Sequence, residues 1–265
     1  MPPPNVLILR APGTNCDQET AWAFELAGAK TRTLHVNRLL ERPSLLADFQ
    51  VLCIPGGFSY GDDVAAGQIL AVQMRHHLAA GLQQFKAAGK LILGICNGFQ
   101  ALIKSGVLLE DDPGLGPPAT LAANDSGRYE DRWVRLGVGG PRCVFLRGIQ
   151  RMYLPVAHGE GKFITRDPDV LRRLDEAGQL VLRYLPLAAD GQGDVPAAPL
   201  PFPDNPNGSM GNVAGVCDPT GRVLGLMPHP ERHIDPTQHP RWTRGEAGPV
   251  GDGLAVFANA VEYFR

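Results

Sequence analysis

The stretch from Lys90 to Ile103 constrains this 265-residue chain more than any other. Residues 91–95 form an unbroken apolar run, the pattern of a strand buried on both faces of a parallel sheet. The run leads into Gly94-Ile95-Cys96-Asn97-Gly98, and helical spacing begins immediately afterwards. G-x-C-x-G between strand and helix is the cysteine form of a nucleophile elbow, a turn so tight that only small residues fit on either side. Such a turn is expected to lift the Cys96 side chain off the sheet edge and aim it at solvent. It also sets Cys96 at a helix N-terminus, where unpaired N–H groups and the helix dipole favour a thiolate. Taken alone, the motif fits a buried cysteine in an ordinary turn equally well.

The rest of the first half repeats the strand-then-helix pattern. Residues 6–9, 30–36 and 51–54 read as strands. Residues 17–26 and 65–88 carry helical spacing, the second with a bend expected at Gly81, and a short helix lies around Arg42-Pro43. Strands alternating with helices predict an α/β fold with a doubly wound, mostly parallel sheet. In such sheets the site lies at the carboxyl ends of the strands, where the loops beginning at Arg10, Pro55 and Cys96 converge. After Ser105 the texture turns to β alternation over 119–165, with candidate strands at 132–138, 142–146 and 151–156. Asp167-Pro168 opens a helix running to Ala177. Residues 180–185 read as a strand and 186–206 as an exposed loop. A hairpin turning at Asp218-Pro219-Thr220-Gly221 joins 212–217 to 223–227, and an amphipathic helix covers 254–264. Nothing separates two cores, so residues 1–265 are expected to form one domain with β-rich insertions.

Composition narrows the function classes. With 44% hydrophobic and 20% charged residues the chain has ample core, and a net charge of -2 argues for neither nucleic acid nor an anionic membrane as partner. No apolar run is long enough to cross a bilayer. Five scattered cysteines without a C-x-x-C pair predict neither a disulfide framework nor a metal site, and suit a reducing cytoplasm. The opening residues lack the basic and apolar regions of a secretory signal.

A cysteine nucleophile needs a base and a group to orient it. Of seven histidines, His76 and His77 sit side by side on a helix, His35 follows a strand, and His233 and His239 fall in a proline-rich loop. His229 stands apart, in Gly225-Leu226-Met227-Pro228-His229-Pro230-Glu231. Proline holds the residue before it extended, and side chains two apart on an extended chain share a face. His229 and Glu231 are therefore candidates for base and orienter. Gly56-Gly57-Phe58, directly after a strand, is a candidate oxyanion loop, with the N–H of Asn97 as second donor. The chain lacks G-x-G-x-x-G and G-x-x-x-x-G-K, so neither a nicotinamide cofactor nor ATP is expected on it.

These residues resemble a known family. Gly94-Ile95-Cys96-Asn97-Gly98-Phe99-Gln100 with Pro228-His229-Pro230-Glu231 is similar to the class I (triad) glutamine amidotransferases. Four further stretches resemble the phosphoribosylformylglycinamidine synthase glutaminase branch: residues 10–17, 55–63, 157–161 and 205–209. The resemblance covers nearly the whole chain in order, and the loop 56–63 is specific to the branch. It implies a flavodoxin-like sheet, a Cys96–His229–Glu231 triad, an oxyanion donor at Gly57, and contacts to L-glutamine near Gln100, His158, Gly159 and Glu160. It also implies glutamine hydrolysis through a Cys96 thioester. The ammonia would pass to a large synthetase subunit that uses ATP and Mg to convert formylglycinamide ribonucleotide to formylglycinamidine ribonucleotide, with a small third subunit in the complex. No cofactor would be bound by this chain. Loops at 110–118, 186–204 and 234–250 look longer than usual for the branch and bear on partner contacts. The rival readings are a stand-alone cysteine hydrolase or peptidase of the same fold, and a non-catalytic binding module.

Overall fold

The apolar and β-patterned runs of the first half become neighbouring parallel strands: β1 (Asn5–Arg10), β2 (Lys30–His35), β3 (Val51–Ile54) and β4 (Leu91–Ile95). Every residue of β3 and β4 is buried, as expected of strands covered on both faces. A computed structural model, which describes residues 2–140, 142–187 and 198–265, places β5 (Ala119–Ala122), β6 (Glu130–Val138), β7 (Arg151–His158), β8 (Lys162–Thr165), β9 (Leu182–Leu185), β10 (Val213–Cys217) and β11 (Val223–Leu226) after them. Nine strands share one sheet in the order β2-β1-β3-β4-β11-β10-β9-β6-β7. The pairings reverse only β10 and β6 relative to the others, so the sheet is mostly parallel. β5 and β8 form a separate antiparallel pair. Strands β1, β3, β4 and β11 all discharge their loops at the same end of the sheet.

Helices α1 (Asp17–Leu26), α2 (Val36–Glu41), α3 (Gln68–Gln73), α4 (Ala79–Ala87), α5 (Asn97–Lys104), α6 (Pro168–Glu176) and α7 (Leu254–Glu262) cover the sheet. Phe24 of α1 meets Phe257 of α7 edge to face with ring centroids 4.9 Å apart. Asp167 caps α6 by accepting from the Val170 N–H, as the Asp-Pro signature predicts.

Two expectations change. The continuous helix over 65–88 is two helices joined by a π turn at Met74–Leu78, and Gly81 lies undisturbed inside α4. Leu70, Met74, Leu78 and Leu82 are all buried, and a spacing of four drifts off a 3.6-residue period. A widened turn restores the register. Residues 142–146 form no strand: Val144–Leu146 is a 3-10 turn. All of Cys143 to Leu146 is buried, leaving no solvent face for a strand to alternate with, and the turn packs on α7, whose Asn259 donates to the carbonyls of Phe145 and Arg147. Much of the expected loop over 186–206 lies outside the described residues.

Candidate active site

The elbow has the geometry its glycines predict. Cys96 adopts φ +49° and ψ -103°, a strained conformation for a residue with a side chain. The strain is held by flanking bonds: the Cys96 N–H donates to the Leu226 carbonyl at 2.8 Å, and its own carbonyl accepts from Gln100 N–H at 3.0 Å. At Gly98 a Cβ would lie 1.8 Å from the Ile54 carbonyl oxygen, so only glycine lets α5 start against β3. Contrary to expectation, Cys96 does not face open solvent. It is 5% exposed, with Sγ 3.6 Å from the Ala157 carbonyl, because the β-rich insertion brings β7 across the elbow.

His229 leaves β11 in an extended conformation, its N–H donating to the Pro155 carbonyl at 2.8 Å. Glu231 does not follow on the same extended face. It sits in a 3-10 turn, Pro230–Arg232, which folds the carboxylate back until Oε1 is 2.6 Å from His229 Nδ1. The pairing read from the sequence is present, but a turn makes it. Both side chains are buried. Burial opposes charge on the imidazole, yet the Glu231 carboxylate, and after it Cys96, raise the His229 pKa well above its ordinary value. Nδ1 thus donates to Glu231, and Cys96 lies within interaction range of the ring.

The glycine loop lies flat on the loop after β1. Gly57 has φ +136°, and a Cβ there would come within 2.7 Å of the Asn15 nitrogen. The Phe58 N–H is already committed to the Gly13 carbonyl at 2.9 Å, and its half-exposed ring stacks on Tyr129. The Asn97 side chain ties this loop to the elbow: Oδ1 accepts from the Ser59 N–H at 3.1 Å, and Nδ2 donates to Asp62 and Gln100 at 2.9 and 3.0 Å. Gln100 in turn donates to the Glu160 carbonyl. The Glu160 carboxylate accepts from the Ala66 N–H at 3.1 Å and lies 3.8 Å from Lys104 Nζ. Gln100 and Glu160 are therefore placed as struts between loops.

Gly159 accepts from the Asn124 N–H through its carbonyl. His158 is buried with Nδ1 3.1 Å from Asn124 Oδ1, and Nε2 has no partner among the described residues. Burial, and then neighbouring His229, lower its pKa to about 4, so the ring is neutral at physiological pH. Asn124 also accepts from the Gly161 N–H and donates to the His158 carbonyl, and with Gln100 on the Glu160 carbonyl and Asn207 on the Gly161 carbonyl it organises 158–161. Sequence reasoning missed Asn124, whose setting (Asn-Asp-Ser-Gly) reads only as a turn. It also missed the roles of Asp62, Cys16 and Arg232 beside the site.

A cysteine in a strained elbow beside a buried histidine–carboxylate pair, at the carboxyl ends of parallel strands, suits acyl transfer from an amide. The sequence profile of the CobB/CobQ-like glutamine amidotransferase domain matches residues 3–264, and the chain belongs to that family. Within it, the chain is 48% identical over 263 residues to phosphoribosylformylglycinamidine synthase subunit PurQ of Dehalococcoides mccartyi, covering 98% of this chain and 97% of the relative. The subunit of the same name from Methanococcus maripaludis is 40% identical over 273 residues, covering 99% and 98%. Among solved structures, that of PurLQS from Thermotoga maritima contains a chain similar to this one with a TM-score of 0.72 and 30% identity, covering 99% of this chain and 100% of that one.

Proposed function

We propose that this chain, acting as one glutaminase domain, releases ammonia from glutamine at Cys96 and supplies it to the synthetase subunit of phosphoribosylformylglycinamidine synthase in de novo purine biosynthesis. The observation that carries the reading is the buried His229–Glu231 pair, 2.6 Å apart, set beside a cysteine held in a strained elbow. Cys96 Sγ attacks the side-chain amide carbonyl of glutamine. Negative charge on the carbonyl oxygen is met by the N–H groups of Gly57 and Asn97. The His229 imidazolium protonates the leaving nitrogen, and ammonia departs to leave a glutamyl thioester. His229 then takes a proton from water, which attacks the thioester and frees glutamate. Glu231 keeps the ring oriented and stabilises its charged form. The segment His158 to Glu160, with Gly56 and Phe58, bounds the pocket for glutamine, and Gln100 braces it.

The names of the relatives and the T. maritima complex support the division of labour. The chemistry on the ribonucleotide, with ATP and Mg, falls to a large synthetase subunit, and a small third subunit completes the assembly. This chain binds no cofactor of its own. Among the described residues no helix is long and apolar enough to cross a membrane. The role in purine biosynthesis proposed for the chain suits a cytoplasmic enzyme.

The test is a reconstituted complex carrying Cys96→Ala. It should make no amidine from glutamine and yet make it from a high concentration of ammonium salt, because free ammonia enters after the lesion. A mutant complex that associates but is dead with both nitrogen sources would overturn the ammonia-supply role. Wild-type protein that turns over glutamine equally well alone and in complex would favour the stand-alone hydrolase.

A further inference from the structure

The loop after β1 carries a cysteine that the proposed chemistry leaves unused. Cys16 directly precedes α1 and is 1% exposed. A Cβ built on Gly56 would touch both Cys16 Sγ, at 3.0 Å, and His229 Cε1, at 2.8 Å. The ligating atoms of Cys16, His229 and Glu231 all lie within 4.8 Å of one another. The thiol therefore packs beside the imidazole at the Glu231 pairing. Arg232 reaches the same place from the other side: Nη2 donates to Cys16 Sγ at 3.2 Å and Nε to Glu19 Oε1 at 2.9 Å. The thiol itself donates to Asn15 Oδ1 at 3.2 Å. Burial first, only partly offset by His229, raises the Cys16 pKa to about 11, which keeps it a neutral thiol and no rival nucleophile.

The turn Pro230–Arg232 is only three residues long. A 3-10 segment that short has little stability of its own, so what holds its side chains decides where Glu231 points. We infer that Cys16 and Arg232 are positioning residues for the base, clasping the Glu231 turn to the first turn of α1 so that the carboxylate stays under the imidazole. The guanidinium suits this because its two donors lie in one plane and meet two acceptors on one helix start. A lysine ammonium would keep the charge and lose the fork. The inference rests on reading His229 and Glu231 as base and orienter.

The experiment compares Cys16→Ala, Cys16→Ser, Arg232→Lys and His229→Ala in the reconstituted complex, measuring kcat and KM for glutamine, the ammonia-dependent rate and the thermal midpoint. Misplacing a catalytic group by about 1 Å can cost about 10²-fold, and a loosened clasp should lower kcat by about 10-fold. KM for glutamine and the ammonia-dependent rate should stay near wild type. Cys16→Ser should recover part of the loss, since its hydroxyl can still accept from Arg232. Arg232 is partly exposed, so Arg232→Lys decides the matter even where Cys16→Ala fails to fold. Wild-type kcat in Arg232→Lys with His229→Ala inactive overturns the positioning role and leaves the base standing. Full activity in His229→Ala overturns the base assignment itself. A loss that raises KM in step and that Cys16→Ser does not relieve marks simple packing and also overturns the inference.

Discussion

Glu231→Gln removes one charge and almost no volume, and it isolates what the carboxylate does for His229. The two groups are 2.6 Å apart, and neither side chain is more than 2% exposed, so water cannot stand in for the carboxylate. A hydrogen bond to a charged group contributes about 1.5–3 kcal/mol, against about 0.5–1.5 for a neutral one. The difference is about 1–2 kcal/mol; at about 1.36 kcal/mol per factor of ten, kcat should fall roughly 5- to 30-fold. His229→Ala, which removes the proton carrier, should cost more, about 10²–10⁴-fold. The pH profile has a definite sign. Against the effect of burial, Glu231 and Cys96 hold the His229 pKa above its ordinary value, and the imidazolium is the form that protonates the leaving ammonia. Without the carboxylate the ring loses its proton at lower pH, so the alkaline limb of kcat should move to lower pH. Glutamate release by the complex, followed in a coupled dehydrogenase assay across pH, reads both effects. Among the described residues Glu231 Oε2 has no hydrogen-bond partner, so the amide of glutamine would bury an unpaired donor at about 1–3 kcal/mol. The folded fraction must therefore be checked at the assay temperature. An unmoved alkaline limb, or a loss as large as that of His229→Ala, would refute the reasoning.

Two other outcomes follow from the site. Gly57→Val puts a branched side chain at φ +136°, against the Asn15 backbone, and should displace an oxyanion donor; turnover should fall about 10²–10³-fold, whereas unchanged steady-state kinetics would make the loop a plain turn. His158 is held neutral, its pKa lowered from 6.5 to about 4. The unfolded chain therefore binds that proton first, and stability present above about pH 6.5 is lost as pH falls toward 4, on the order of 3 kcal/mol from this residue. His158→Gln should flatten the fall of the thermal midpoint over that window; an identical acid slope would assign the loss to other groups.

Much of the architecture was readable without coordinates, for a physical reason. Buried parallel strands must be apolar along their length, and Val51–Ile54 and Leu91–Ile95 are; α1 and the start of α6 fall where capping and spacing put them. The elbow too is legible as a local motif, although the bond that holds Cys96 and the contact that demands Gly98 come from Leu226 and Ile54 on neighbouring strands. The readings that failed asked a local pattern to answer a question of packing. Burial at every residue of 143–146 does not say strand or turn until α7 is there to cover it. The four-residue spacing of Leu70, Met74, Leu78 and Leu82 forces a π turn only because all four must reach one core.

By itself the sequence determined a doubly wound sheet, a cysteine elbow, and a histidine and glutamate two residues apart, because each depends on neighbours along the chain. Only the tertiary structure decided that Cys96 is covered and that Gln100 and Glu160 brace loops. It also decided that Cys16 meets the guanidinium of Arg232, more than two hundred residues away, beside the His229–Glu231 pair. Those facts depend on strand order, which brings the carboxyl ends of β1, β3, β4 and β11 together at one end of the sheet. No pattern within a single segment encodes which other segment will lie across it.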